Sequence, residues 1–272
     1  GRQLRSYRGL NADIDKLVLS PKGTYIAALS EKGEVNVWET KTGIRKGTHS
    51  MGSYGKYIDV SFGDEEEYIY LLADRGGFYR RHVSDYAQSQ GMYINSFLDS
   101  NQTSRIVEGV YSHVNKDWYA LLKDESGYSL IIKGLRPGEQ RYALSFRRPA
   151  SVRISANGLY LGILDEGIIY IYDPVSGNAY TEINTGIDTL EYYEFSPDGM
   201  RVMVPAGQDK LNIYHQLTGD MYARLETESK GRFLAGKMTD DRIAAYKVGA
   251  VLVYDLMSRK KTSELKGNVR YI

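Results

Sequence analysis

The chain has 272 residues, no cysteine, and 35 Lys+Arg against 34 Asp+Glu, a formal net charge of +1. Near-neutrality excludes a global field that would favour nucleic acid or an anionic membrane, and the absence of cysteine excludes disulfides, thiolate zinc sites and a catalytic thiol. The sequence holds no run of 18 apolar residues and no signal-peptide pattern, so the expectation is a soluble protein without membrane insertion, its compartment open with a lean to the cytoplasm.

Tyrosine is the outlier, 24 against 6 Phe and 2 Trp. Its ring packs while its hydroxyl finds a partner, which suits strands with one apolar and one wet side. The 28 glycines, many at turn positions, fit a chain of tight hairpins.

From the N-terminus, residues 3–8 read as an outer strand that arrives before any partner strand. The first full unit follows. Asp15–Ser20 is strand a and Pro21-Lys22-Gly23 turns it into strand b, Tyr25–Leu29. Glu31-Lys32-Gly33 leads to strand c, Glu34–Trp38, and Thr40–Gly43 to strand d, Ile44–Thr48. The same grammar recurs. Strand c reappears as Ile168–Tyr172, Leu211–Tyr214 and Val251–Tyr254, and the c-to-d turn as Pro174–Gly177 and Leu217–Asp220. Taking Ser20, Ser61, Ser112, Ser155, Ser196 and Lys237 as one slot gives steps of 41, 51, 43, 41 and 41 residues. Units this short bury their faces only by stacking on neighbours. The prediction is an all-β propeller of four-stranded antiparallel blades in a single domain over 1–272. Its six units fall at about 13–49, 54–98, 105–146, 148–184, 188–226 and 230–267, and 268–272 opens a further strand a.

Several of these residues carry a family resemblance. Trp38-Glu39, Tyr172-Asp173 and Tyr254-Asp255 end strand c, and Ser20-Pro21-Lys22-Gly23 and Ser196-Pro197-Asp198-Gly199 form a-to-b turns. On these positions the chain resembles the WD40 and WD40-like propellers over nearly its whole length. It departs from them in having Tyr214-His215 at one strand c end, no true Trp-Asp pair, and no Gly-His pair before strand a. In that family an N-terminal strand d completes the last blade. Three arrangements of the ends stay open: a piece of a longer propeller stopping inside blade seven, a six-bladed ring with add-on strands, or an open propeller whose gap a partner fills by β-augmentation.

No phosphate-cradling, nucleophile-elbow or zinc-helix motif is present. His49, His82, His113 and His215 fall in four different units and are read as structural. The run Asp64-Glu65-Glu66-Glu67 is read as a solvated turn, and Asp124 and Asp165 as turn formers. No catalytic, cofactor or metal residues are assigned. Asn101-Gln102-Thr103 is a sequon, relevant only to a secreted protein.

The one constellation carried forward as protein-binding is basic: Arg75, Arg80, Arg81 and His82 in the second unit, with Arg147 and Arg148 before the fourth. Arg75, Arg147 and Arg148 belong to b-to-c and d-to-a loops, the usual partner face of the resembled family. Arg259-Lys260-Lys261 lies on the opposite, c-to-d side. The expected function is a non-enzymatic protein–protein interaction scaffold, a propeller subunit or domain of a larger assembly. Its expected partners are other proteins with acidic surfaces or ones that donate a blade. The alternative is a bacterial propeller holding a small ligand or metal at a central channel, or an enzyme domain.

Overall fold

The structure, a computed structural model, describes residues 5–84, 92–96, 104–125, 127–134, 144–207, 209–226, 231–239 and 241–266. The sequon at Asn101 and the terminal strand expected at 268–272 lie outside them. The chain divides at Leu144/Ser145 into two compact units, and the regular elements of the described residues are all strands apart from a single 3-10 turn at Gly52–Tyr54.

In the first unit, blade one is β1 (Ile14–Leu19), β2 (Tyr25–Ser30), β3 (Val35–Glu39) and β4 (Arg45–His49). Blade two is β5 (Tyr57–Phe62), β6 (Tyr68–Ala73), β7 (Gly77–His82) and β8 (Met92–Ser96). Blade three contributes β9 (Arg105–Ser112), β10 (Asp117–Asp124) and β11 (Gly127–Gly134). The second unit opens with the two-residue β12 (Ser145–Phe146). Blade four follows as β13 (Pro149–Ile154), β14 (Leu161–Asp165), β15 (Ile168–Tyr172) and β16 (Ala179–Asn184). Blade five is β17 (Glu194–Phe195), β18 (Arg201–Pro205), β19 (Lys210–His215) and β20 (Met221–Glu226). Blade six is β21 (Phe233–Met238), β22 (Arg242–Lys247), β23 (Ala250–Asp255) and β24 (Lys260–Lys266). Within blades, sequence neighbours pair antiparallel. Within each unit the first strands of successive blades stand side by side, β1–β5–β9 and β13–β17–β21. The fold class is all-β, six antiparallel blades of the propeller type.

Alternation with period two lets each inner sheet feed two cores. In blade one, Ala27, Leu29, Val35 and Val37 pack against Val60, Phe62, Ile69 and Leu71 of blade two. In blade four, Leu164, Ile169 and Ile171 meet Tyr193, Phe195, Val202 and Val204 of blade five. In blades one, four, five and six the c-to-d ladder shifts register where strand c carries its late aromatic, at Val37/Trp38, Ile171/Tyr172, Ile213/Tyr214 and Val253/Tyr254. A bulge there twists the strand end and re-aims the large ring.

The repeat slot itself needs correcting. Ser20 Oγ accepts the Tyr25 amide at 3.0 Å, Ser155 Oγ the Tyr160 amide at 3.0 Å, and Ser196 Oγ the Arg201 amide at 2.9 Å. The backbone of each serine also bonds to that same residue. In blade two the residue making this backbone bond is Gly63, to Tyr68, and in blade six it is Thr239, to Arg242. Ser61 and Lys237 stand two residues earlier, on the strand. The shift has a physical cause: the slot is defined by a hydrogen bond closing the a-to-b turn, and glycine fills it with backbone alone.

The N-terminal segment also differs from expectation. Its described part, residues 5–8, pairs in no sheet. It is held on blade one instead, where Trp38 Nε1 donates to Arg8 O (3.0 Å), Asn36 Nδ2 to Gly9 O (3.3 Å) and Arg5 Nε to Lys41 O (2.8 Å). The Tyr7 ring sits 6.0 Å from that of Trp38.

Candidate functional site

The three adjacent basic residues of β7 singled out from sequence do not share one face. Arg80 and His82 project from one face of β7, and Arg81 from the other, because neighbours on a strand alternate. Arg80 Nη2 lies 3.0 Å from Glu65 Oε2, and its guanidinium stacks 3.6 Å over the Tyr68 ring. Arg81 lies 5.6 Å over Tyr79. His82 meets the Tyr68 ring edge-on at 5.4 Å, and its Nδ1 accepts the Ser84 amide at 3.2 Å. All three are half-buried. They are committed to their own blade. Arg75, in the β6–β7 turn of the first unit, and Arg147 and Arg148, in the second, are exposed.

The backbone beneath Arg147 and Arg148 is fixed. Both oxygens of the buried Asp165 are occupied, Oδ2 by the Arg147 amide at 3.0 Å and Oδ1 by the Arg148 amide at 2.7 Å. Beside this loop, Phe146, Arg147, Asp165, Glu166, Ile168, Tyr170 and Tyr172 line a cleft of about 410 Å³. Burial pushes the Tyr170 and Tyr172 phenols up from their ordinary range, so both stay neutral hydrogen-bonding groups at physiological pH.

A second surface was not anticipated from sequence. In the second unit, Val175, Leu217 and Met257 occupy equivalent positions in the c-to-d turns of blades four, five and six, each more than half exposed. Leu159 and Met200, in a-to-b turns, are exposed too. The two turn types share an edge, since the Gln216 amide donates to Met200 O (3.0 Å) and the Leu256 amide to Asp241 O (2.8 Å). These turns are locked. Asp173 Oδ1 accepts the amides of Val175 (2.7 Å) and Ser176 (2.9 Å), and its Oδ2 accepts the Tyr180 hydroxyl (2.9 Å). The Ser176 amide leads the bonds that hold this carboxyl below its usual range. Asp255 does the same with the amide and hydroxyl of Ser258, each at 2.7 Å. The signal was present in the sequence, as an apolar residue three positions after the late tyrosine of each strand c, Tyr172, Tyr214 and Tyr254.

The acidic run is not a merely solvated turn. Glu66 takes three bonds from blade one, from Ser20 Oγ (2.5 Å), the Lys22 amide (2.6 Å) and Thr24 Oγ1 (2.5 Å). Burial opposes its ionisation, but these bonds outweigh it and hold the carboxyl below its usual range. Asp64 pairs with Lys116 of blade three, and Glu65 with Arg80. Asp64, Glu65 and Glu66 each clamp a different neighbour.

Between blades two and three, Ser61 Oγ and His113 Nε2 lie 3.1 Å apart, and His113 Nδ1 is 4.0 Å from Asp64 Oδ1. Burial pushes the imidazole below its ordinary pKa, Asp64 pulls it back up, and Lys116 and Lys16 add to the lowering. His113 is therefore neutral near pH 7. The Nδ1 separation exceeds a hydrogen bond, so the three groups are not aligned as a nucleophilic triad.

Among the described residues no group of three or more His, Asp or Glu is placed to hold a metal, and no helix is long and apolar enough to cross a membrane. The chain matches no protein-family model and no curated protein.

Proposed function

We propose that this protein is a non-enzymatic interaction module, a propeller scaffold that presents rigid turns to another protein within a larger assembly. The observation that supports this reading most is the row Val175, Leu217 and Met257, aliphatic side chains held outward at equivalent places on turns whose shape is already set. A preorganised turn loses little conformational freedom on binding, and covering aliphatic side chains contributes roughly 25 cal/mol per Å². The Asp173 and Asp255 carboxylates are engaged inside their turns, so the partner surface that fits this row is apolar at its centre. Arg75, Arg147 and Arg148 provide separate positive positions for an acidic partner, where charge acts mainly on association rate.

The test compares three forms of the chain by quantitative affinity capture: unmodified, Val175→Ser/Leu217→Ser/Met257→Ser, and Arg75→Ala/Arg147→Ala/Arg148→Ala. Proteins retained by the unmodified chain should be depleted at least tenfold by the serine variant at an unchanged melting temperature. Equal retention by all three forms overturns the assignment.

A further inference from the structure

The c-to-d turns of the second unit are built alike and differ at one residue. Five places after the late tyrosine of strand c, blades four and five carry Gly177 and Gly219, each at φ +73°. Their amides donate to the carbonyls of Asp173 (2.9 Å) and His215 (3.0 Å). Blade six has Arg259 at that place, and it holds φ +56°. This left-handed conformation crowds the Cβ of an ordinary residue against its own backbone, and glycine adopts it freely. The Asp255 carboxylate closes the blade-six turn on the Ser258 amide as Asp173 closes its own on Ser176, so the turn shape is already set without an arginine. A residue held in a disfavoured conformation that glycine would relieve points to a use for its side chain.

The surroundings of that side chain show which use. Arg259 Nη2 donates to Tyr222 O at 3.4 Å, so the guanidinium lies over β20, the outer strand of blade five. Blade five has no such room at the same position, where a Cβ on Gly219 would meet Glu182 O at 2.8 Å. Lys260 follows and is exposed. The carboxylates of these turns are engaged elsewhere. Asp255 is held by Ser258, Asp198 accepts the Ser196 hydroxyl and the Met200 amide, and Glu264 pairs with Lys261 at 2.8 Å. Among the described residues Arg259 and Lys260 make no ion pair. Beside them the surface is aliphatic: Met257 is 79% exposed, Leu217 51% and Met221 47%.

We propose that the turns of blades five and six form a docking site for an acidic segment of a protein partner, in which a partner carboxylate engages Arg259 and Lys260 while apolar side chains next to it cover Met257, Leu217 and Met221. This rests on the apolar row assigned above and adds the charged group that orients the partner on it. A guanidinium offers a planar fork of donors that fits a carboxylate through two parallel bonds, and only one of its donors is used within the chain, in a long bond to Tyr222. A nucleic acid fits less well, since it favours a continuous basic stripe and open aromatic faces. Here two cations stand among aliphatic side chains, and the Tyr222 ring is taken by Arg201 and His215, each at 4.9 Å.

The decisive variant is Arg259→Gly, which puts in blade six the residue its two neighbours use. A structural arginine predicts a less stable chain. The docking role predicts a melting temperature equal to or above that of the unmodified chain, with binding lost. The probe is a fluorescently labelled short peptide of alternating leucine and glutamate, followed by anisotropy with the full chain. Peptides with glutamine or lysine in place of glutamate, and a uridine oligonucleotide, are run beside it. Saturable binding of the glutamate peptide is expected, at least tenfold weaker for the glutamine peptide and for Arg259→Gly, and weakened by added salt. Should Arg259→Gly melt lower, Arg259→Gln removes the charge while keeping the backbone conformation, and should weaken binding to the same extent. No binding of the glutamate peptide, undiminished binding by Arg259→Gln, or tighter binding of the lysine peptide or the oligonucleotide overturns the proposal. In the affinity capture described above, proteins lost by the serine variant but kept by Arg259→Gly overturn this charged anchor alone. Proteins kept by both variants overturn the apolar row as well.

Discussion

The joint between blades one and two and the joint between blades five and six use the same device with different weight. In the first, Lys16 of β1 pairs with Asp59 of β5, and Asp59 is buried. In the second, Lys237 of β21 lies 2.5 Å from Glu194 of β17, but Lys237 is largely in solvent. Glu194 also accepts the Tyr192 hydroxyl at 2.8 Å, and that hydroxyl lies 2.5 Å from Gly236 O. A buried carboxylate depends on its cation because water cannot replace it, whereas an exposed pair is screened. Burial of the acceptor, rather than the presence of an ion pair, decides which joint is vulnerable.

The largest effect that follows is at Lys16. Lys16→Met should destabilise the chain by about 3 kcal/mol, since removing one partner of a buried pair strands the other, while Lys237→Met should cost no more than about 0.5 kcal/mol. Chemical denaturation of the two variants in parallel checks this, and equal losses would break the comparison. Next come the turn clamps. Glu66→Ala removes three bonds to a charged acceptor and should cost about 2 kcal/mol. Asn157→Ala, which removes the 2.7 Å bond to Asp198 O across blades four and five, should cost about 1 kcal/mol.

The smallest effect is a pH dependence confined to the first unit. His113 has its folded pKa below the ordinary histidine value, because burial disfavours the cation. The unfolded chain therefore binds the proton more readily, and stability should fall as pH drops through the unfolded histidine range, about 6.5. Glu66, lowered by its hydrogen bonds, loses its contribution only further down, as pH falls through its folded pKa. His113→Gln should flatten the melting-temperature profile between about pH 7 and 5.5 while leaving that of the Glu66 clamp in place. An unchanged profile would remove His113 from the first-unit joint.

Much of the architecture was legible in the chain. Strands such as Val35–Glu39 and Ile168–Tyr172 declare themselves by alternating apolar residues. Turns such as Asp173–Gly177 declare themselves by an Asp four residues before a glycine whose φ is +73°. These are local rules, satisfied within a few residues. Less of the candidate surfaces could be read. Arg80, Arg81 and His82 are adjacent in sequence and diverge in space, and Val175, Leu217 and Met257 are far apart in sequence and stand at equivalent places. Ser61 looked like a member of the repeat slot because its spacing from Ser20 is 41 residues, yet Gly63 closes the turn.

By itself, then, the sequence determined the strands, their turns and the blade grammar, because period-two burial and turn chemistry act between neighbours along the chain. Only the tertiary structure decided the partners of Asp64, Glu65 and Glu66 and the neutral state of His113. Those depend on which blade lies against which.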